Sequence, residues 1–314
     1  MLALSSLALM AASFQTVETV PHSDLIIEAR DISRTIGNSV WPGLSEAPET
    51  VLLIAGETEY LICHHRPVEG FVPRPELQID GCSVETRERV FAPHFLASFP
   101  AVDGTPTIVV GTPEATNRDP DDWMVTLLHE HVHQMQDAMP GAWQNANALD
   151  LHGGDTSGMW MLNYPFDYDG AAAAARALAD QALVTLEARG TAAFEMEAFQ
   201  YAAMRTDFLA SLTPADARYY DFQVWKEGVA RWSELAITRS GRNDARLAPL
   251  HARQETRLLD GLRAVDLIRQ QRVAFYAMGS AEAEILETLA PEWRQLYQQH
   301  MFDMSAIFET ISTP

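Results

Sequence analysis

His129, Glu130 and His133 stand in the order His-Glu-x-x-His within LLHEHVHQMQ (127–136). On a helix, residues four apart share a face, so both imidazoles can reach a single metal ion. Glu130 then lies beside a water on that ion and can take its proton, as metal-assisted hydrolysis requires. Around the helical wheel, Thr126, His129, Glu130, His133, Gln136 and Asp137 form one polar stripe. Trp123, Met124, Val125, Leu127, Leu128, Val132 and Met135 fill the rest. A helix apolar nearly all round is a buried helix. Its polar stripe must therefore face a cleft or a metal, or else contain unpaired polar groups. His131 points among the apolar residues and reads as a hydrogen-bonded core histidine, not a ligand.

A catalytic zinc takes three protein ligands. The next histidine after His133 is His152, and no glycine-spaced histidine follows the motif. A carboxylate from a later helix is therefore favoured, and Glu227 in VWKEGVARWSELA (224–236) is the first choice. Gly228 follows it directly. A glycine inside a helix costs about 1 kcal/mol against alanine, so its use there implies close approach of two helix backbones, here expected to be with the motif helix. Glu234 lies two turns on, on the same side, where it can support a metal-bound histidine. Glu195 and Glu197 in FEMEAFQYAAMR, and Asp150, His152 or Asp155, remain open as rivals.

Positioning these residues needs a well-started helix. Asp119 can cap it, Pro120 suits its first position, and Asp121 and Asp122 favour the positive end of its dipole. Upstream, 24–36 reads as an amphipathic helix and VLLIAGETEYLICHH (51–65) as two strands around a central turn. Residues 84–98 and TPTIVVGT (105–112) offer further strands. Helical patterns then cover about 120–137, 170–188, 192–211, 215–239, 243–278 (with breaks) and 280–311. The Gly-, Asn- and aromatic-rich stretch 138–169 reads as a long loop, and a loop of that length is usually functional or mobile. Trp143, Trp160, Tyr164 and Phe166 can roof a cleft or cap apolar helices. The fold class is α+β: a mainly helical catalytic core with a small N-terminal β-sheet. Residues 1–22 read as a leader, 23–118 as the sheet-bearing part and 119–314 as the helical metal-binding part, continuous with it.

The chain has 314 residues, 47% of them hydrophobic and 21% charged. That is ordinary for a globular protein. The net charge of −21 disfavours nucleic acid and anionic membranes, whose phosphates are held by Lys and Arg. No apolar run reaches the roughly 20 residues of a spanning helix. MLALSSLALMAAS at the start has the apolar run and small-residue site of a secretory signal but no basic n-region. A periplasmic or secreted location is expected, with the cytoplasm as alternative. Cys63 and Cys82 either bridge, as export would permit, or stand as buried thiols.

LLHEHVHQMQ, WKEGVARW (225–232) and FYAMGSAEAEILETLAPEWRQLY (275–297) together resemble the gluzincin-type zinc metallopeptidases, over roughly 105–300. The resemblance implies a zincin-like core, a Zn2+ cofactor and a peptide or protein substrate. It implies His129, His133 and Glu227 as zinc ligands and Glu130 as catalytic base. It likens TIVVGT (107–112) to the sheet edge along which such enzymes lay an extended peptide. Tyr276, in a Tyr-x-x-Gly segment, is the choice for the donor to the developing oxyanion, with Tyr219, Tyr220 and Arg231 as alternatives. Thermolysin-like members often place an acidic partner four residues after the glutamate ligand; here that position is Arg231. The competing reading is a non-catalytic binding or scaffold protein on a zincin fold.

Overall fold

The computed structural model describes residues 19–77 and 79–312. Residues 1–18 of the expected leader, with its small-residue site at Ala11, Ala12 and Ser13, lie outside the described residues.

The alternating apolar pattern after Thr50 forms β1 (Val51–Ala55) and β2 (Thr58–Ile62), an antiparallel pair around Gly56–Glu57. Gly56 takes φ 60°, a left-handed conformation that a residue without Cβ adopts freely. With β3 (Val72–Pro73), β4 (Val84–Glu88), β5 (Leu96–Val102) and β6 (Thr105–Gly111), the described residues form one sheet in the order β3-β4-β2-β1-β6-β5. Only β1 and β6 run parallel. Cys63 and Cys82 are disulfide-bonded, which ties the end of β2 to the segment entering β4.

Alternation along each strand sends side chains to opposite faces. Val51, Leu53, Ile108 and Val110 join the main core beneath the helices. Leu52, Ile54, Leu61 and Val109 face the other way, onto Phe71 and Val102 with Phe91, Phe95 and Phe99 around them. The expectation that TIVVGT forms the sheet edge is corrected here. β6 is sandwiched between β1 and β5, because the chain doubles back at Asp103–Gly104 and lays β5 outside it.

The motif helix, Pro120–Ala138, begins as expected: Asp119 accepts from the Asp122 backbone N–H at 3.0 Å and Pro120 occupies the first turn. It lies against the sheet and is latched to it. The Trp123 indole donates to Gly111 O at 2.8 Å, and the Gln134 amide donates to Thr50 O and Pro106 O at 2.8 and 3.1 Å. The sheet and the helices thus share one continuous core.

The second helix that matters starts at Pro214, with Thr213 accepting from the Asp216 N–H. It runs to Gln223, passes through a π-helical turn, Val224–Gly228, and continues as Val229–Ser240. Its apolar face carries Trp225 and Trp232 into a cluster with Trp41, Trp293 and Tyr297, where Trp225 stacks on Tyr297 at 4.3 Å. A third helix, Ala274–Leu289, is unbroken. The interruption expected near residue 279 is absent because Gly279 serves a close helix contact instead of ending the helix. Helices Ser23–Ile32, Tyr168–Glu187, Phe194–Ser211 and Leu247–Arg263 complete the surround.

The long 138–169 segment is less irregular than expected. It contains short helices at Ala142–Ala148 and Trp160–Asn163. Trp160 and Phe166 are buried, and Tyr164 stacks on Tyr219 at 4.4 Å. Its aromatic side chains, Trp143 apart, therefore cover apolar helices. No helix among the described residues is long and apolar enough to cross a membrane.

Candidate metal centre

His129 and His133 project from one face of the motif helix, with ring centroids 4.8 Å apart. Glu227 meets them from the π-helical turn, 94 residues beyond His133. Its Oε2 lies 3.2 Å from His133 Nε2 and 3.7 Å from His129 Nε2. One ligand atom from each of the three residues falls within 4.8 Å of the others, and this is the group among the described residues suited to hold a metal ion. A π turn carries more residues per turn than an α-helix and resets which side chains face a neighbour, a common device at functional sites. Here it sets Glu227 and Glu234 around the same histidine from one helix.

No protein-family model, curated protein or solved structure matches this chain.

The far nitrogens of both rings are occupied. His129 Nδ1 donates to Glu234 Oε1 at 2.9 Å, and His133 Nδ1 donates to Gln136 Oε1 at 2.6 Å. These bonds fix the rings with Nε2 turned to the shared point, as metal-binding imidazoles require. Gln136 is itself anchored, donating to Lys226 O at 3.0 Å and to the Tyr297 hydroxyl at 2.7 Å. Glu234 is held by Arg231 at 3.0 Å. Arg231, the departure from the thermolysin-like pattern, thus steadies the acidic partner that Glu234 supplies three residues later.

The electrostatics are those of two buried imidazoles and a part-buried carboxylate. Burial by itself would lower His129, but Glu227, Glu234 and Glu130 outweigh it and raise its pKa to about 9. Burial pushes the Glu227 carboxyl up, and the two imidazoles more than reverse this, leaving it well below the usual carboxylate range. Two imidazoles and a carboxylate form a hard-to-borderline donor set that suits zinc. Glu130 adds an independent sign: it is 5% exposed and its buried Oε2 has no hydrogen-bond partner among the described residues. A buried carboxylate oxygen without a partner marks a place built for a water or a ligand. The residues present therefore fit a bound metal ion.

Close approach of helices puts Glu227 in place, although not the approach expected. A Cβ at Gly228 would lie 2.4 Å from Gly279 Cα, so the glycine packs backbone to backbone on the Ala274–Leu289 helix, not on the motif helix. The same helix delivers Tyr276. Its ring lies parallel to the His129 imidazole, 6.1 Å between centroids, and its hydroxyl accepts from Arg272 at 3.3 Å. Burial first, and then the Glu227 charge, push the Tyr276 phenol well above its ordinary pKa, so the hydroxyl keeps its proton.

The other candidates lie elsewhere. Tyr219 donates to Met161 O at 3.0 Å, and Tyr220 donates to Glu282 at 2.7 Å. Glu195 and Asp150 are exposed, and Glu197 accepts from Gln181 at 2.9 Å. His152 Nδ1 accepts from the Gly154 N–H, and Asp155 caps Ser157 and Trp160. His131 is buried between Gln134 and Leu44 O, as its apolar face implied. Gln136, Tyr297 and Arg272 had no role in the sequence reading. Gln136 had a signal, since it sits on the polar stripe one turn after His133; Tyr297 and Arg272 had none.

Proposed function

We propose that this chain is a zinc-dependent hydrolase, specifically a metallopeptidase of gluzincin type. The observation that carries the reading is the meeting of Glu227 with the two motif histidines, directly beside a buried Glu130 whose Oε2 has no partner. His129, His133 and Glu227 would hold the ion. Bound there, zinc would lower the pKa of water toward neutrality and polarise a carbonyl.

Glu130 accepts the proton of the attacking water and delivers it to the leaving amine. The neutral Tyr276 hydroxyl donates to the oxygen on which negative charge develops. Arg272 orients that hydroxyl. Glu234 and Gln136 keep the histidines in the tautomer that ligation needs. Export belongs to the same proposal: the Cys63–Cys82 disulfide suits an oxidising compartment.

The test is metal content by elemental mass spectrometry, with hydrolysis of a mixed peptide library. Wild type should carry one zinc, and His133→Ala and Glu227→Ala should lose it. Glu130→Gln should keep the zinc and lose turnover. Unchanged turnover in Glu130→Gln would refute the base assignment. A zinc-loaded wild type that cleaves nothing would favour the scaffold reading.

A further inference from the structure

Beside the metal group lies a cavity of about 240 Å³. This is many times the roughly 10–15 Å³ that one water needs, and it is enough for a side chain or a chain end. Tyr276 forms part of its wall while stacking on His129, so the cavity adjoins the site of chemistry. Its other polar lining includes Arg118, Arg231, Arg257 and Gln254, and no Asp or Glu lines it. In a chain of net charge −21, this concentration of guanidinium groups runs against the average.

The donors are not used up by the protein. Arg231 and Arg257 lean on Glu234 and Asp122 behind the wall, at 3.0 Å each. These contacts engage Arg231 Nη1 and both terminal nitrogens of Arg257, whereas each guanidinium carries five N–H donors. The Arg118 side chain has no hydrogen-bond or ion-pair partner among the described residues. Gln254 is 3% exposed and its Nε2 has no partner. Its Oε1 faces Arg257 Nη1 at 3.5 Å, which fixes the amide with its own N–H groups unmet. Buried donors without acceptors are costly unless a ligand completes them.

We infer that this cavity is a subsite for a substrate carboxylate, seated by Arg118, Arg257 and Gln254 beside the scissile bond. The substrate class is thus acidic: a peptide with a Glu or Asp side chain at that position, or one presenting its free C-terminal carboxylate. The inference rests on the hydrolase reading for its place in the reaction, but the carboxylate contact can be measured without turnover.

The experiment is calorimetric titration of the zinc-loaded protein with three small probes. N-acetyl-glutamate α-amide carries only the side-chain carboxylate, N-acetyl-glutamine only the α-carboxylate, and N-acetyl-glutamine amide neither. At least one charged probe should bind about tenfold or more tighter than the neutral one, as hydrogen bonds to a charged group imply, and which one binds identifies the source. Arg118→Gln removes a side chain with no partner to disturb. It should abolish most of that preference while leaving zinc content unchanged, and Gln254→Leu should weaken it in the same sense. Equal binding of all three probes, no binding of the charged probes, or a preference that survives Arg118→Gln would each overturn the subsite. The last result would place the carboxylate on the metal. An Arg118-dependent preference in a protein that hydrolyses nothing would uphold the subsite and defeat the hydrolase reading instead.

Discussion

Gly228→Ala tests the contact that sets Glu227 against the histidines. An added Cβ would stand 2.4 Å from Gly279 Cα and 2.7 Å from Gly279 C, both backbone atoms that no rotamer change can move. Ordinary contact begins near 3.4 Å, so the two helices must part by about 1 Å. Overpacking of this kind costs about 1–3 kcal/mol, and a backbone obstacle belongs at the upper end. Alanine returns about 1 kcal/mol of helix propensity, which leaves a net loss of about 2 kcal/mol. The displacement also falls one residue from Glu227, so zinc affinity should drop along with stability. Urea denaturation of the metal-free protein gives the first quantity and a chelator competition gives the second. Gly279→Ala should act in the same direction, because its Cβ would stand 2.8 Å from Gly228 Cα. The double variant should cost less than the two single losses added, because one separation relieves both clashes. A Gly228→Ala protein as stable as wild type, with unchanged zinc affinity, would refute the backbone contact and the account of how Glu227 is positioned.

Three further outcomes follow from single interactions. Glu234→Gln removes the carboxylate on His129 Nδ1 and should weaken zinc binding about 10–100-fold by the same competition assay, with the fold retained. Reducing the Cys63–Cys82 bridge should lower unfolding stability by about 3 kcal/mol in a denaturant titration while leaving zinc content unaltered, since the bridge closes a short loop on the sheet. Glu49, paired with Arg30 and Arg34, has its carboxyl held below the ordinary range by those guanidiniums despite burial. A depressed folded-state pKa contributes stability that is full above the unfolded value of about 4.3 and is lost as pH falls through the folded value. Glu49→Gln should therefore flatten the acid limb of stability measured against pH below about 5.

Much of the centre was legible because helical periodicity is local. His129, Glu130 and His133 fall together by spacing alone, and Asp119 with Pro120 marks where their helix starts. The apolar surround of that stripe is also a local pattern, so burial of the motif and the different fate of His131 could be read without coordinates. Glu227 was legible because a mid-helix glycine beside it needs an explanation, and the hairpin of β1 and β2 because its strands adjoin in sequence. The partner of Gly228 was not, since nothing in a linear chain says which of several helices will cross there.

What the sequence by itself determined is the set of groups on offer: two imidazoles and a carboxylate on one buried helix face, a small sheet ahead of a helical body, and an acidic chain. Only the tertiary structure decided which groups complete it. The choice of β5 over β6 as the sheet edge depends on strand pairing, which joins residues distant in sequence. The π turn, the bonds from Glu234 and Gln136 to the ring nitrogens, and the pairing of Tyr276 with His129 all arise where separate helices touch. The cavity gathers Arg118, Arg231, Gln254 and Arg257 from three distant segments. Of these, only Arg231 had a reading in the sequence, as an alternative oxyanion donor, and the meeting of three guanidiniums with an unpartnered Gln254 amide at one wall exists only after packing.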